Sequence, residues 1–395
     1  MRPINITFLA STFVIGGAET QIVNLVSGLD KQRYNISIVT LKERGPFAAK
    51  MAEQDVIFHS DLMKSKLDVR VVPKLMKILK GNKTDILYTL DHDNAMFLGR
   101  ICAKMANVPV CLTVMHTTNR RNGENTIDFF GRAMLPLSDI LVATAQGQRQ
   151  HLIEAGGIRQ DKLAMIYNGI NAEEFNPEYK NFSLKKEFGI GDADPVAGIL
   201  AAFKPEKAHV IFVQAAALVL KEIPNAHFLL VGDGVERENI ERKISELNIT
   251  ENVHITGFRT DVPEILSIFE VSVLCSYPRC ETFSLAILES MAAGKPIITT
   301  DVGSLSEMVI ENETGFLLPC GDPRALAEPI IKLFKDTELI KKMGRAARRL
   351  LEEKFTTSRM VEENEKLFEQ LLVKKGVLEN GFTSEKLTFL NLEEN

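Results

Sequence analysis

The chain has 395 residues, 45% hydrophobic and 25% charged, with a formal net charge of −5. That length suits two domains, and that composition is ordinary for a soluble globular protein and excludes a strongly basic nucleic-acid binder. Five cysteines without a CxxC pair or a histidine partner at zinc spacing argue against a disulfide framework or structural zinc, and a reducing cytoplasm fits them.

The N-terminal stretch MRPINITFLASTFVIGG is interrupted by Asn5, Thr7, Ser11 and Thr12, so it reads as a first strand, INITFLA, and not as a signal peptide. A helix follows over GGAETQIVNLVSGL, with Ile22, Val23, Leu25, Val26 and Leu29 at helical spacing. Next come the strand ISIVTL, the helix DVRVVPKLMKILK, the strand TDILYTL, the helix NAMFLGRICAKMANV and the strands PVCLTVMH, DILVATA and KLAMIYNG. The pattern restarts near residue 195 with the strand PVAGILAAF, the helix AHVIFVQAAALVLKEI and the strand AHFLLVG. It continues through ERENIERKISELNI, NVHITGF, DVPEILSIF, VSVLCS, SLAILESMAAG, PIITT and GFLLP to a helical C-terminus from PRALAEPIIKLFKD.

Strands that are apolar throughout and alternate with helices predict parallel sheets covered on both faces. The expected fold class is α/β, with two doubly wound Rossmann-like domains facing a central cleft. The expected domains are 1–175 and 184–355, joined around NAEEFNPEYKNFS. A C-terminal helix, 356–375, is expected to pack back on the first domain, and the polar residues 376–395 form an expected mobile tail. No apolar run approaches the roughly 18 residues of a membrane span. Residues 1–180 carry 22 Lys+Arg against 18 Asp+Glu, and the remainder 25 against 34, so a mildly basic half precedes an acidic one. The two halves should meet different partners.

In open α/β sheets, ligands bind at the carboxyl ends of the strands. CETFSLAILESMAAGKPIITT puts Glu281 on a loop at such an end and Glu289 inside the following helix, with Gly294 as terminator. Thr282 or Ser284 can cap that helix, leaving the amides of Phe283, Ser284 and Leu285 to receive a phosphate. A plain capped core helix with two incidental acids carries the same residues. AAFKPEKAH adds Lys204 and Lys207, cations for a diphosphate. VGDG places Gly232, Asp233 and Gly234 where a backbone can approach a ligand closely, or simply in a tight turn. Gly16 and Gly17 follow the first strand but lack the third glycine of a dinucleotide fingerprint. His116 ends a strand. Asp91, in DHD, offers either a metal ligand or a solvated loop. Arg120 and Arg121 offer a clamp for an acceptor phosphate. The helix with Arg70, Lys74, Lys77, Lys80 and Lys83 is either a basic lipid-facing surface or an ordinary covering helix.

Together these stretches resemble a family-4 retaining glycosyltransferase of the GT-B fold, over about residues 4–370. ETFSLAILESMAAGKPIITTDVGSLSEMVIENETGFLLPCGD resembles the family's Glu-x7-Glu segment, its Gly-x-x-x-Glu turn at Gly303 and Glu307, and its TGFL strand. GGAE, MH, YNGI, KPEK, VGDG and TGF appear in the family's order. The resemblance implies that the second domain holds a UDP- or GDP-linked sugar. Lys207, helped by Lys204 and the amides at Phe283, Ser284 and Leu285, would bind its diphosphate. Glu289 would bind the ribose and Glu281 the donor sugar, and the backbone around Phe258 and Arg259 would edge the base. His116 and the Gly16–Gly17 loop would close over the sugar, with His116, Lys207 and Glu281 as the catalytic group. The acceptor, a saccharide or lipid-linked saccharide of envelope or exopolysaccharide assembly, would bind the first domain, with peripheral contact at the inner membrane. The family needs no metal or other cofactor, and retention proceeds by front-face attack with the leaving phosphate taking the acceptor proton. One departure stands out: where many members carry an arginine in the diphosphate loop, this chain has Ala202 and Lys204, and lysine lacks the bidentate fork. The rival readings are a nucleotide-sugar 2-epimerase of the same fold, a non-catalytic partner subunit, and a nicotinamide dehydrogenase lacking its glycine fingerprint.

Overall fold

The first strand, β1 (Ile4–Ala10), is buried at every residue but Asn5, because a parallel strand covered on both faces has no solvent side to alternate toward. In the computed structural model the described residues are 2–379, apart from 14–15, 53, 55, 66–67, 91–92, 117–119, 122–123, 126–133 and 279–280. The chain divides into two compact units, residues 1–169 with 357–395, and residues 170–356.

The first unit runs β1, α1 (Gly17–Gly28), β2 (Tyr34–Thr40), α2 (Phe47–Ala52), β3 (Ile57–His59), α3 (Val71–Gly81), β4 (Ile86–Leu90), α4 (Asp93–Ala106) and β5 (Val110–Met115). A short antiparallel hairpin of β6 (Arg120–Arg121) and β7 (Glu124–Asn125) precedes β8 (Ile140–Ala143), α5 (Gln146–Glu154) and β9 (Leu163–Met165). The strand order is β3-β2-β1-β4-β5-β8-β9, all parallel. The order reverses between β1 and β4. Phe8, Ile22, Val26, Tyr34, Tyr88 and Leu112 belong to the core on one face of this sheet. Asp85 fastens the amino edge, accepting from the Asn5 amide at 2.9 Å and from the Arg2 guanidinium through two bonds of 2.7 Å.

The second unit contains α6 (Phe182–Glu187), β10 (Val196–Leu200), α7 (His209–Val219), β11 (His227–Val231), α8 (Arg237–Glu246), β12 (Val253–Gly257), α9 (Val262–Ser267) and β13 (Val271–Leu274). It continues with α10 (Leu285–Ala292), β14 (Ile297–Thr300), β15 (Gly315–Leu318), α11 (Pro323–Phe334) and α12 (Thr337–Lys354). The sheet is parallel in the order β12-β11-β10-β13-β14-β15, so its reversal lies between β10 and β13. Phe203, Phe212, Phe228 and Phe269 are wholly buried. Phe269 fits because Gly198 on β10 has no side chain: a Cβ there would fall inside the ring.

The expected boundary at 175 lies instead at Gly169–Ile170. The Ile170 amide donates to the Phe355 carbonyl at 3.0 Å, which ties the start of the second unit to its end. The helix α13 (Thr357–Lys374) belongs to the first unit, whose core it completes with Met360, Val361, Leu367, Phe368, Leu371 and Leu372. Gly28 on α1 meets Val361 so closely that a Cβ would collide with it. Most of the expected tail, residues 380–395, lies outside the described residues. Among the described residues no helix is long and apolar enough to cross a membrane.

Candidate active site

The reversal between β10 and β13 opens a crevice at the carboxyl ends of two neighbouring strands, where the connecting helices leave in opposite directions. The loop after β10 carries Lys204 as the N-cap, and Lys207 as the last residue, of a 3-10 turn, Pro205–Lys207. The loop after β13 carries Glu281. The two loops meet: the Lys207 ammonium pairs with the Glu281 carboxylate, which also accepts from the Ser276 hydroxyl at 2.8 Å. The Tyr277 amide donates to the Glu206 carbonyl at 2.7 Å, locking backbone to backbone beside the ion pair. The pair lies mostly out of solvent, with the Lys207 side chain 21% and the Glu281 side chain 7% exposed.

Ala208, just after Lys207, sits at φ 52°, a left-handed conformation that costs an alanine about 1–2 kcal/mol. This kink turns the chain into α7 and leaves Lys207 on the crevice side. His209 follows, 2% exposed and edge-on to the Phe203 ring at 4.7 Å. Burial, with the Lys207 charge, pushes its pKa down to about 4, so the ring under the turn is neutral.

Gly232, Asp233 and Gly234 follow β11 and grip the same loop. The Phe203 amide donates to the Asp233 carbonyl at 2.9 Å, and the Glu236 amide to the Phe203 carbonyl at 3.0 Å. Gly232 and Gly234 have φ of 149° and 154°, and a Cβ on either would run into the carbonyl of Ala201 or Phe203. These glycines are therefore required to interlock the loops. Asp233 points away and pairs with Arg237 at 2.9 Å.

Ser284 is the N-cap residue of α10, without a side-chain cap bond, and Phe283 before it packs edge-on to Phe355 at 5.3 Å. The approach to the helix is fixed from behind by Gly303, at φ 60°, whose missing Cβ leaves room for the Glu281 carbonyl, while the Ser304 amide donates to Thr282 O at 3.1 Å. Glu289 stands in the second turn of α10. Burial, and next the charge of Glu174, push its pKa up to about 7. Ser276, Glu174 and His209 are residues the sequence reading passed over. Only Ser276 had a signal, as the last residue of the strand stretch VSVLCS.

Beyond β12, Phe258 is 59% exposed, whereas the Arg259 side chain is occupied by Asp261 at 2.8 and 2.5 Å and by Glu187 at 3.5 Å. An apolar ring standing in solvent at a strand's carboxyl end is available to a flat ligand.

Two family models match the chain in tandem: Glycosyltransferase Family 4 over residues 15–174, and Glycosyl transferases group 1 over residues 181–350. The chain belongs to the family-4, group 1 glycosyltransferases. It is 27% identical to N-acetyl-alpha-D-glucosaminyl L-malate synthase of Bacillus anthracis, over 91% of this chain and 95% of that one. It is 23% identical to the UDP-Gal:alpha-D-GlcNAc-diphosphoundecaprenol alpha-1,3-galactosyltransferase of Escherichia coli, over 91% and 97%. Among solved structures, HepE of Anabaena in complex with UDP and glucose superposes with a TM-score of 0.79 at 21% identity, covering 92% of this chain and 99% of that one. A glycosyltransferase of Rickettsia africae superposes with a TM-score of 0.82 at 22% identity, covering 94% and 99%. The fold is GT-B.

In this glycosyltransferase the first unit presents its candidates at the same kind of strand end. Gly16 is the extended N-cap of α1, with its carbonyl accepting from the Thr20 amide at 2.9 Å, and Gly17 opens the helix. His116 directly follows β5 and is half-buried. Asp91 follows β4 but lies outside the described residues, as do the side chains of Arg120 and Arg121, whose backbones form β6. The basic helix α3 covers the sheet with Val71, Leu75 and Leu79. Arg70 is held by Asp68 at 2.7 Å and Lys74 by the Leu62 carbonyl at 3.1 Å, so part of its charge serves the fold.

Proposed function

We propose that this glycosyltransferase retains anomeric configuration and transfers a sugar from a nucleoside diphosphate, with uridine diphosphate the first to test, to a saccharide or lipid-linked saccharide, without a metal. The observation that carries this reading is the Lys207–Glu281 pair at the strand reversal, beside the N-terminus of α10. As the anomeric bond breaks, negative charge grows on the leaving diphosphate. Lys207, Lys204 and the amides of Phe283, Ser284 and Leu285 stabilise that charge more in the transition state than in the ground state. Glu281, oriented by Ser276, accepts from hydroxyls of the donor sugar, and Glu289 from those of the ribose. Phe258 and the backbone at Arg259 edge the base. The acceptor oxygen bonds to the anomeric carbon on the face the diphosphate leaves, and its proton passes to the diphosphate oxygen.

The names of the similar proteins agree with a uridine donor: one acts on UDP-Gal and another was crystallised with UDP and glucose. The acceptor is assigned to the first unit, with Asp91, Arg120 and Arg121 as its contacts and His116 and the Gly16–Gly17 turn toward the sugar. A lipid-linked acceptor would bring the enzyme peripherally to the cytoplasmic face of a membrane.

Thermal unfolding against UDP, GDP and their common sugar conjugates tests the donor, since a ligand at about a hundred times its dissociation constant adds roughly 2.7 kcal/mol. A shift with uridine compounds that persists in EDTA is expected. A shift that EDTA abolishes would overturn the metal-free reading, and no shift would overturn the donor assignment. The anomeric configuration of the product, read by NMR, decides retention.

A further inference from the structure

At the opposite edge of the second unit's sheet lies a cavity of about 1060 Å3. Its lining includes Pro195, Glu270 and Lys295, residues that lead into β10, β13 and β14, whereas Lys207 and Glu281 follow the far ends of β10 and β13. The five residues of β10 alone separate the two edges by roughly 16 Å. The donor chemistry makes no use of this cavity.

The cavity is built rather than incidental. Gly294, at φ 65°, turns between α10 and β14 against Pro177, and Gly344 on α12 presses so closely that a Cβ would strike the Gly294 carbonyl. Arg348 pins the wall by donating to the carbonyls of Ala172, Phe175 and Ala292. Ile223, Phe269, Phe334 and Ile340 supply an apolar side.

The charge is in excess of what the fold consumes. Lys180 and Lys185 share Glu270 at 3.4 and 3.7 Å, Lys185 also donates to the Asp194 carbonyl at 2.8 Å, and Lys341 pairs with Glu338 at 2.8 Å. Lys295, Arg345 and Arg349 also line the cavity and make no ion pair among the described residues. Lys295 is 4% exposed. Burial, with Lys180 beside it, draws the Lys295 pKa down to about 7 although the charge of Glu270 opposes this, so the group carries its proton at a cost to the fold. A ligand that brings negative charge removes that cost.

We propose that this cavity is a second anion site, taking a phosphorylated ligand whose phosphate groups meet Lys295, Arg345 and Arg349 while its body lies on the apolar wall. A free phosphorylated metabolite and an acidic lipid headgroup share this chemistry.

The test uses the full-length protein carrying Lys207→Ala, so that the donor site contributes little, titrated with inorganic pyrophosphate by calorimetry. Saturable binding is expected, weakened at least tenfold by adding Arg345→Ala and Arg349→Ala, which alter exposed side chains only. Lys295→Met, which keeps the stem and removes the charge, should weaken it similarly. In a parallel arm the protein is floated with phosphatidylglycerol or phosphatidylcholine vesicles. Flotation with phosphatidylglycerol alone, lost in the double arginine variant, assigns the site to a headgroup. Pyrophosphate binding without flotation assigns it to a free ligand. Absence of both, or binding that these variants leave within twofold, overturns the site. Loss of UDP binding on Lys207→Ala with pyrophosphate binding retained separates this site from the donor site.

Discussion

Glu289 carries its carboxylate in a place where ionising is costly, and that sets two opposite expectations. Its pKa, raised from 4.5 to about 7, means that the folded chain holds a proton the unfolded chain has released. The stabilising effect is complete below pH 4.5 and is lost as pH rises through 7, at about 1.4 kcal/mol per pH unit. Glu289→Gln should therefore raise the unfolding temperature at pH 8 and change it little at pH 4.5. In the proposed donor site, however, the ribose hydroxyls would need the ionised acceptor, a hydrogen bond worth roughly 1.5–3 kcal/mol. Nucleotide affinity should fall as pH drops below 7, and Glu289→Gln should abolish that pH dependence while weakening binding at pH 8. Calorimetric titration of the nucleotide from pH 6 to 8 checks both, and a flat profile in the unmodified protein would remove Glu289 from the ribose.

At the scale of elements, the crevice loops hold one another through glycines. Gly303 has a positive φ and touches the Glu281 carbonyl, so Gly303→Ala must displace the Glu281 loop. The strained backbone alone costs about 1–3 kcal/mol. The expected result is a lower unfolding temperature together with a fall in kcat larger than the change in nucleotide affinity; unchanged kcat would mean that the turn does not position Glu281. The apolar strands and these glycines were legible in the sequence because each leaves a local mark: a hydrophobic run, or a small residue at a strand end. Other elements left none, and two of them show why. β3, Ile57–His59, is three residues at an edge, none of them buried, and α5, Gln146–Glu154, buries only Gln148 and Leu152, so neither shows a periodic stripe. Glu174 beside Glu289 and the cations around Lys295 are brought together by tertiary structure, and no spacing announces them.

For the whole molecule, the two units should answer acid differently. His209 and His254 are held down at about 4 by burial, and His227, stacked on His254, is lowered too. An unfolded histidine takes its proton near 6.5. The stability these groups contribute is present above that value and is lost as pH falls toward 4. All three lie in the second unit, where burial pushes the Glu289 carboxyl the other way. Scanning calorimetry at pH 7 and pH 5 should show the nucleotide-responsive transition moving down more than the other. Equal movement of both would show that the buried histidines do not govern acid sensitivity. The division into two α/β units was readable from the restart of the strand pattern near residue 195, but the junction at Gly169 was not, because it depends on the Ile170–Phe355 pairing of segments far apart in the chain.

The helix α13 gives the protein a clock. A ribosome delivers residues 1–169 first, yet the side chains that close their core, Val361, Phe368 and Leu372 among them, emerge only after the entire second unit. The unit begun earliest is thus the one finished last, and it waits with Gly28 and its neighbours uncovered while 187 intervening residues are made. The second unit, encoded without interruption, has no such wait. Premature termination anywhere before residue 357 would leave that earlier half without its closing helix, and quality control would meet an apolar groove on α1 in every unfinished copy.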